Sequence, residues 1–303
     1  MTYVLGLQIL MIIALIGVAS YALYDIFKHR NTWTPGSKAV WGNVVGMFPF
    51  YIFDSLGIGC FAPQTAYYKA MKIIPDKFLP GTFNVVGSVA CLAYALVYVS
   101  SVEVDFLTLI LCIIFQTVGG FVGASIVTKL PVKPIRIGLG FGLIVVAAFL
   151  ILGQLGLMPT GGDATGFRGP RLIVAIIGVF IFGALMNINI GSYAPSMALF
   201  FSMGLNPVSG YPIMMSAVAF SQTAGGIRFI QRGAYDRKAT LIGIFLGTAG
   251  GLFGALVIKS IPLFVLKWVV IGVIIYTSII MLRSGLKNEA DVETLQTTKN
   301  FPK

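Results

Sequence analysis

Gly57-Ile58-Gly59-Cys60-Phe61-Ala62-Pro63, with its echo Asn189-Ile190-Gly191-Ser192-Tyr193-Ala194-Pro195 132 residues later, decides how this chain folds. Each stretch interrupts an apolar run. Inside hydrocarbon, an interrupted helix leaves backbone N–H and C=O groups unpaired, which is tolerated only where protein or a water-filled cavity supplies partners. Glycine permits the dihedrals such a turn needs, and proline in a helix's first turn forfeits nothing, because that N–H is an orphan anyway. Pro63 and Pro195 therefore read as helix starts. A helix that begins within the membrane aims its free N–H groups and positive dipole end at the middle, which favours a small anion there.

The composition excludes an ordinary soluble domain. The chain is 57% hydrophobic and 10% charged, with a mean hydropathy of +0.92, whereas soluble domains carry about 25% charged residues. The expected class is an all-α polytopic membrane protein. The net charge of +11 is spread singly over the ends of apolar runs, so nucleic acid is not an expected partner. Cys60, Cys91 and Cys112 all lie in apolar stretches, which argues against a disulfide framework. His29 is the only histidine, and the chain has neither a Ser/His/Asp set nor an HExxH motif. Neither an enzyme nor a metal or other cofactor is expected.

The chain reads as one extra crossing followed by two similar units. Tyr3 to Phe27 is long enough to span and lacks the preceding basic region of a cleaved signal. Residues 1–39 form this first helix and a loop whose Lys28, Arg30 and Lys38 place it in the cytoplasm, with the N-terminus outside. Residues 40–158 then make repeat A: a re-entrant hairpin, Val40 to Phe53 and Phe61 to Ile74, meeting near the midplane, and crossings at Pro80–Ser100, Phe106–Thr128 and Pro134–Leu157. A connector at 159–171 leads to repeat B at 172–286. It has a hairpin, Leu172 to Met186 and Tyr193 to Met203, an uncharged loop at 204–210, and crossings at Tyr211–Phe229, Ala239–Ile258 and Leu263–Leu282. The tail, 287–303, lies in the cytoplasm. On this layout only Arg168, Arg171, Lys259 and Lys267 of the 21 basic residues fall outside. A multi-pass protein of the cell's inner membrane is expected.

The repeat is visible in the letters. Pro63, Pro75 and Pro80 match Pro195, Pro207 and Pro212 at an offset of 132, and Asp105, Gly119, Gly120, Gly123 and Pro131 match Asp236, Gly250, Gly251, Gly254 and Pro262 at 131. A hairpin plus three crossings is an odd unit, so the second copy is inserted upside down. Inverted repeats with broken helices are a transporter signature. The glycine rows at four-residue spacing predict close helix packing.

With Gly57 to Pro63, Pro80-Gly81-Thr82-Phe83-Asn84 and Arg228-Phe229-Ile230-Gln231-Arg232-Gly233-Ala234-Tyr235-Asp236, the span from Val40 to Leu282 resembles the TauE/SafE family of sulfite and organosulfonate permeases. It departs from that pattern at Tyr211-Pro212-Ile213-Met214-Met215-Ser216, and at Asn189, where the first half has Gly57. The resemblance implies a proton- or ion-linked carrier, often an exporter, of small sulfur-containing or carboxylate anions.

The expected anion donors are the backbone N–H groups near Phe61 to Gln64 in the first break and Tyr193 to Ser196 in the second, with Gly59, Cys60, Ala62 and Pro63, and Gly191, Ser192 and Ala194, completing the expected substrate-binding turns. Cys60 and Ser192 are equivalent in the repeat. Asn84, Asn187, Asn189 and Ser216 add polar groups beside the breaks that either bind substrate or satisfy frayed helix ends, with Gln64, Thr65, Ser221, Gln222 and Thr223 as further polar positions. Asp54 is the acidic residue nearest mid-depth and is the expected carrier of a coupling proton; the alternative role is a carboxylate bonded to a neighbouring loop N–H. The expected activity is secondary transport of a compact anion such as sulfite or a sulfonate, by alternating access of the two halves. A passive anion channel, or a carrier of another small carboxylate, is the alternative. Expected partners are the anion, a coupling proton, the lipid bilayer and, as an option, a second copy in a homodimer.

Overall fold

The computed structural model describes residues 2–30, 40–99, 104–157 and 162–256, and beyond them 271–272, 275, 278–279, 282–283 and 286. The crossing expected at Leu263–Leu282 thus falls largely outside the described residues, and the 31–39 loop, Lys259, Lys267 and the 287–303 tail wholly so. The protein is an all-α, multi-pass membrane protein. Ten helices are described: α1 Thr2–Lys28, α2 Val40–Ser55, α3 Phe61–Met71, α4 Leu79–Val99, α5 Phe106–Val127, α6 Val132–Gln154, α7 Gly169–Met186, α8 Tyr193–Ser202, α9 Pro207–Gln231 and α10 Arg237–Leu256. Six stretches of them are long and apolar enough to cross a membrane.

Both breaks fall where the glycine- and proline-containing stretches predict. The first uses left-handed backbone at Gly57 (φ +78°) and Gly59 (φ +89°); the second has Asn189 at φ +57° in the place of Gly57. Asparagine tolerates that region better than other side chains, so the substitution keeps the turn. Pro63 and Pro195 are each the third residue of their helix, where the N–H has no intrahelical acceptor. Several boundaries differ from expectation: α2 runs on to Ser55 rather than Phe53, α3 stops at Met71 rather than Ile74, and α7 starts at Gly169 rather than Leu172. The loop predicted at 204–210 is already helical from Pro207, because a proline at the first helical position has its φ preset.

α4 and α9 cross at the centre at close range, and nearly every residue of α4 is buried. A Cβ on Gly81 would lie 2.0 Å from the Ala234 carbonyl oxygen. The outer helices dock through the glycine rows. A Cβ on Gly119 would lie 2.0 Å from the Phe180 oxygen and one on Gly123 2.4 Å from the Ala184 oxygen, seating α5 on α7. Likewise Gly250 and Gly254 would meet the Phe48 and Ile52 oxygens at 2.1 and 3.1 Å, seating α10 on α2. α1 packs on α4 and turns Leu5, Ile9, Ile13 and Ile16 outward.

The loops gather at two ends. At one, Asp25 of α1 accepts from Tyr235 (2.5 Å) and Arg237 Nε (2.9 Å), and the Asp236 N–H bonds Thr82 Oγ1 at 2.9 Å. This brings the α3–α4 turn beside the α9–α10 turn. At the other, Asp105 N bonds Thr165 O, and residues 162–164 pair with Gly204 and Leu205 of the α8–α9 turn. The first hairpin therefore opens at one end and the second at the opposite end.

The two hairpins interleave along the bundle. α2 and α7 rise about 24 and 27 Å at about 1.5 Å per residue, well past half of a hydrocarbon layer of about 30 Å. Accordingly Gly57 abuts Tyr211 near the start of α9, and Tyr98, near the end of α4, donates to Ser55 O at 2.5 Å. The second break lies deeper toward the other end, where Asn187 reaches the Gly120 oxygen at 3.0 Å.

Candidate functional site

The interleaving sets the opening turns of α3 and α8 against each other. Asn189 of the second break donates through Nδ2 to Thr65 Oγ1 of α3 at 2.9 Å. Tyr193, the first residue of α8, lies against Gly59 of the first break. Its hydroxyl is 2.8 Å from that of Tyr94 on α4.

In the first break the helix start is already occupied by a carboxylate of the chain. α2 runs on to Ser55, so Asp54 sits on its last turn, and its Oδ1 accepts the Cys60 N–H at 2.8 Å. Its Oδ2 accepts the Tyr94 hydroxyl at 2.5 Å and faces the Cys91 thiol at 3.4 Å. When Asp54 is ionised it accepts from the Tyr94 hydroxyl, and Tyr193 is then the donor in the Tyr193–Tyr94 contact. The result is a chain of hydrogen bonds, Tyr193 to Tyr94 to Asp54 to the Cys60 N–H, joining the start of α8 to the start of α3. Cys91 adds a contact to Gln222 Oε1 at 3.3 Å. All these side chains are buried. Asp54 thus takes the loop N–H that the sequence offered as its alternative partner, and it does so at the spot where an anion was expected.

The second break is built differently. At the repeat offset Asp54 corresponds to Met186, whose sulfur is 3.5 Å from Gln116 Nε2 of α5. The same amide donates to Ser192 Oγ at 3.2 Å. Among the described residues no group accepts from the Ser192 or Tyr193 N–H. Beside this break an apolar groove of about 390 Å³ runs between α6, α7 and α8, with Ile190 and Pro195 in its wall.

The chain matches no protein-family model, and no curated protein matches it.

The remaining expected residues divide in two. Phe61, Ala62, Pro63 and Ala194 lie in the first turns of α3 and α8, Gly191 just ahead of α8, and Gln64 and Ser196 close the first regular hydrogen bonds to Cys60 and Ser192, both at 2.9 Å. Gln64 Nε2 reaches only Met47 Sδ, at 3.9 Å. Asn84 and Asn187 lie apart from these turns: Asn84 donates to Pro80 O at 2.8 Å, and Asn187 holds the carbonyls of Gly120, Gly183 and Ala184. Ser216 is buried with its hydroxyl unpartnered. Thr223 bonds its own helix at Ala219 O, 2.8 Å away, the bland role open to any helical threonine.

Sequence reasoning missed Tyr94 and Gln116. Tyr94 carries no local signal, since its role depends on where Asp54 arrives. Gln116 does carry one: it is the one amide side chain in the apolar run of α5.

Proposed function

We propose that the protein is a secondary carrier of a small anion, in which two inverted repeats rock about a site at the adjoining first turns of α3 and α8. The observation that carries the reading is the pairing of two broken helices within the membrane-spanning bundle, Asn189 on Thr65 and Tyr193 on Gly59. A merely structural bundle has no need of two such breaks. The inverted repeat draws support from contacts that exchange under the sequence offset. Gly119 on Phe180 corresponds to Gly250 on Phe48, and Gly123 on Ala184 to Gly254 on Ile52. Asp105 caps the Thr108 N–H and Asp236 the Ala239 N–H, each at 2.9 Å. The hairpins open at opposite ends, as inversion requires.

In this reading the anion binds at the second break, where the first N–H groups of α8, the Ser192 hydroxyl and the Gln116 amide face one another. Asp54 is the coupling group. Ionised, it holds the Cys60 N–H and Tyr94 and presents a negative charge near the site. Protonated, it removes that charge, so anion and proton bind together. The TauE/SafE resemblance suggests sulfite or an organosulfonate as the class of substrate, with export as the direction.

The test is a panel of sulfite, sulfonates, thiosulfate, sulfate and small carboxylates screened by thermal shift on the purified protein, followed by flux of the best binder in proteoliposomes. Saturable flux that exchanges labelled for unlabelled anion supports the carrier; flux without exchange identifies a channel. Asp54→Asn keeps an acceptor for the Cys60 N–H and should flatten the pH dependence of flux. Unchanged pH dependence would remove Asp54 from the coupling role.

A further inference from the structure

We propose that the Cys91 thiol is a positioning switch for proton coupling: it donates to Asp54 when that carboxylate is ionised, and to Gln222, in the second half of the chain, when Asp54 is protonated. The inference deepens the carrier reading and rests on it for the use made of the switch; the exchange of partners concerns contacts already in place.

The Cys91 thiol has one proton and two oxygen acceptors within reach, Asp54 Oδ2 at 3.4 Å and Gln222 Oε1 at 3.3 Å. The Tyr94 hydroxyl likewise has one proton and three neighbours, Asp54 Oδ2 at 2.5 Å, the Tyr193 hydroxyl at 2.8 Å and Cys91 Sγ at 3.0 Å. A carboxylate only accepts, so around ionised Asp54 both Tyr94 and Cys91 point their protons at Oδ2. A protonated Asp54 is itself a donor. Its Oδ1 is taken by the Cys60 N–H, so the added proton sits on Oδ2 and points at the nearest oxygen, that of Tyr94. Tyr94 still accepts from Tyr193 on its second lone pair and turns its own proton to Cys91 Sγ. Cys91 then gives its proton to Gln222. Both sets are complete with the heavy atoms where they stand, and all these side chains are buried. An S–H is a weak donor, so neither acceptor holds it fast.

What changes is a bond between helices: Cys91 leaves a partner on α2 for one on α9. Cys91 and Gln222 are 131 residues apart, an offset of the sequence repeat. In an inverted repeat, counterparts touch only on the axis relating the halves. Protonation of Asp54 therefore adds a hydrogen bond across the interface about which the halves would rock, and loss of the proton withdraws it. The titratable groups facing Asp54 are Tyr51 of α2, Cys60 of the turn, Cys91 and Tyr94 of α4 and Tyr193 of α8. All are thiols or phenols, with ordinary values of about 8.5 or above, and the ion pairs of the described residues do not include Asp54. Asp54 is thus the group whose titration throws the switch.

The experiment is infrared difference spectroscopy of the whole purified protein between acid and alkaline buffer, read at the S–H stretch, which follows the acceptor of the thiol. Cys91→Ala assigns the band. It should shift with pH in the wild type and stay still in Asp54→Asn. Gln222→Leu should leave the alkaline band in place and move the acid band to that of an unbonded thiol. In the anion-binding assay, Cys91→Ala keeps the charge of Asp54 yet should shrink the pH dependence of the midpoint about threefold, as for one weak hydrogen bond. A static Cys91 band, a shift that persists in Asp54→Asn, an acid band indifferent to Gln222→Leu, or an undiminished pH dependence in Cys91→Ala would overturn the inference. A shifting band without saturable flux would keep the switch and remove the carrier; saturable, pH-dependent flux with a static band would do the reverse.

Discussion

The two breaks share a left-handed turn, at Gly57 and Asn189, and differ in what closes them. In the first, Asp54 reaches over the turn and caps the Cys60 N–H, with Tyr94 on its other oxygen. In the second, Met186 stands in the corresponding place, and the amide of Gln116 reaches Ser192 from a neighbouring helix. The end of the preceding helix differs too. Ser55 folds its hydroxyl back onto Ile52 O at 2.9 Å, while Asn187 turns an unpartnered oxygen inward. Glycine, asparagine and proline set the course of the backbone, while one side chain on each side decides how the opened helix start is closed.

The largest effect should come from the frame both breaks share. Gly119→Ala and Gly250→Ala each drive a Cβ to about 2 Å from a carbonyl oxygen of the neighbouring helix, with no flexible side chain to yield. Each should destabilise the protein by about 3 kcal/mol, read as a fall in Tm and in the yield of monodisperse protein. Similar losses at the two positions sharpen the comparison by showing that the halves are docked alike. A loss at only one would break it.

That frame was legible in the sequence because it is written in residues that act locally. A glycine's missing side chain and a proline's missing N–H have the same consequence wherever the helix packs. The ends of the helices, the turn at Asn189 and the rows at Gly119 and Gly250 could be read this way. The site was less legible because its roles are assigned by contacts between distant residues. Asp54 stood out as an acid in an apolar run, but that it would fill the first anion position followed only from α2 continuing to Ser55. Tyr94 looked like one aromatic among many. Asn84 and Asn187 stand beside the breaks in the sequence, yet only the close approach of Gly225 makes them neighbours.

A smaller effect tests what is particular to the second break. Gln116→Leu removes the amide that reaches Ser192 and replaces it with an apolar side chain of similar size. Because the buried Ser192 hydroxyl loses its partner while the apolar packing is kept, the cost in stability should be about 2 kcal/mol. The midpoint for anion binding should rise about tenfold, as expected for one lost hydrogen bond to a charged ligand. At the first break the place of Gln116 is taken by Gly247 of α10, which packs against Tyr51. Gly247→Ala should therefore lower Tm without changing the anion midpoint. If the two variants shift binding alike, the breaks do not divide the work as proposed.

The smallest effect separates two caps that look the same. Asp105 and Asp236 each accept the N–H three residues on, at 2.9 Å. Asp105 also takes Arg168 in a two-pronged contact, Nη2 at 2.6 Å and Nη1 at 2.7 Å, and the guanidinium holds its carboxyl well below the usual range. Asp236 is buried, with Oδ2 unpartnered, and burial pushes its carboxyl up. The signs of the linkage are opposite. Asp105 favours the folded state above the ordinary carboxyl value of about 3.9, and this contribution fades as pH falls below that value toward the lowered one. Asp236 binds its proton more tightly when folded, so its contribution is full below about 3.9 and is lost as pH rises through the raised value. The difference in Tm between wild type and Asp105→Asn should therefore shrink on acidification, while the corresponding difference for Asp236→Asn should move in wild type's favour. Parallel curves would mean that Arg168 and burial do not distinguish these two helix starts, and the asymmetry of the halves would be confined to the breaks themselves.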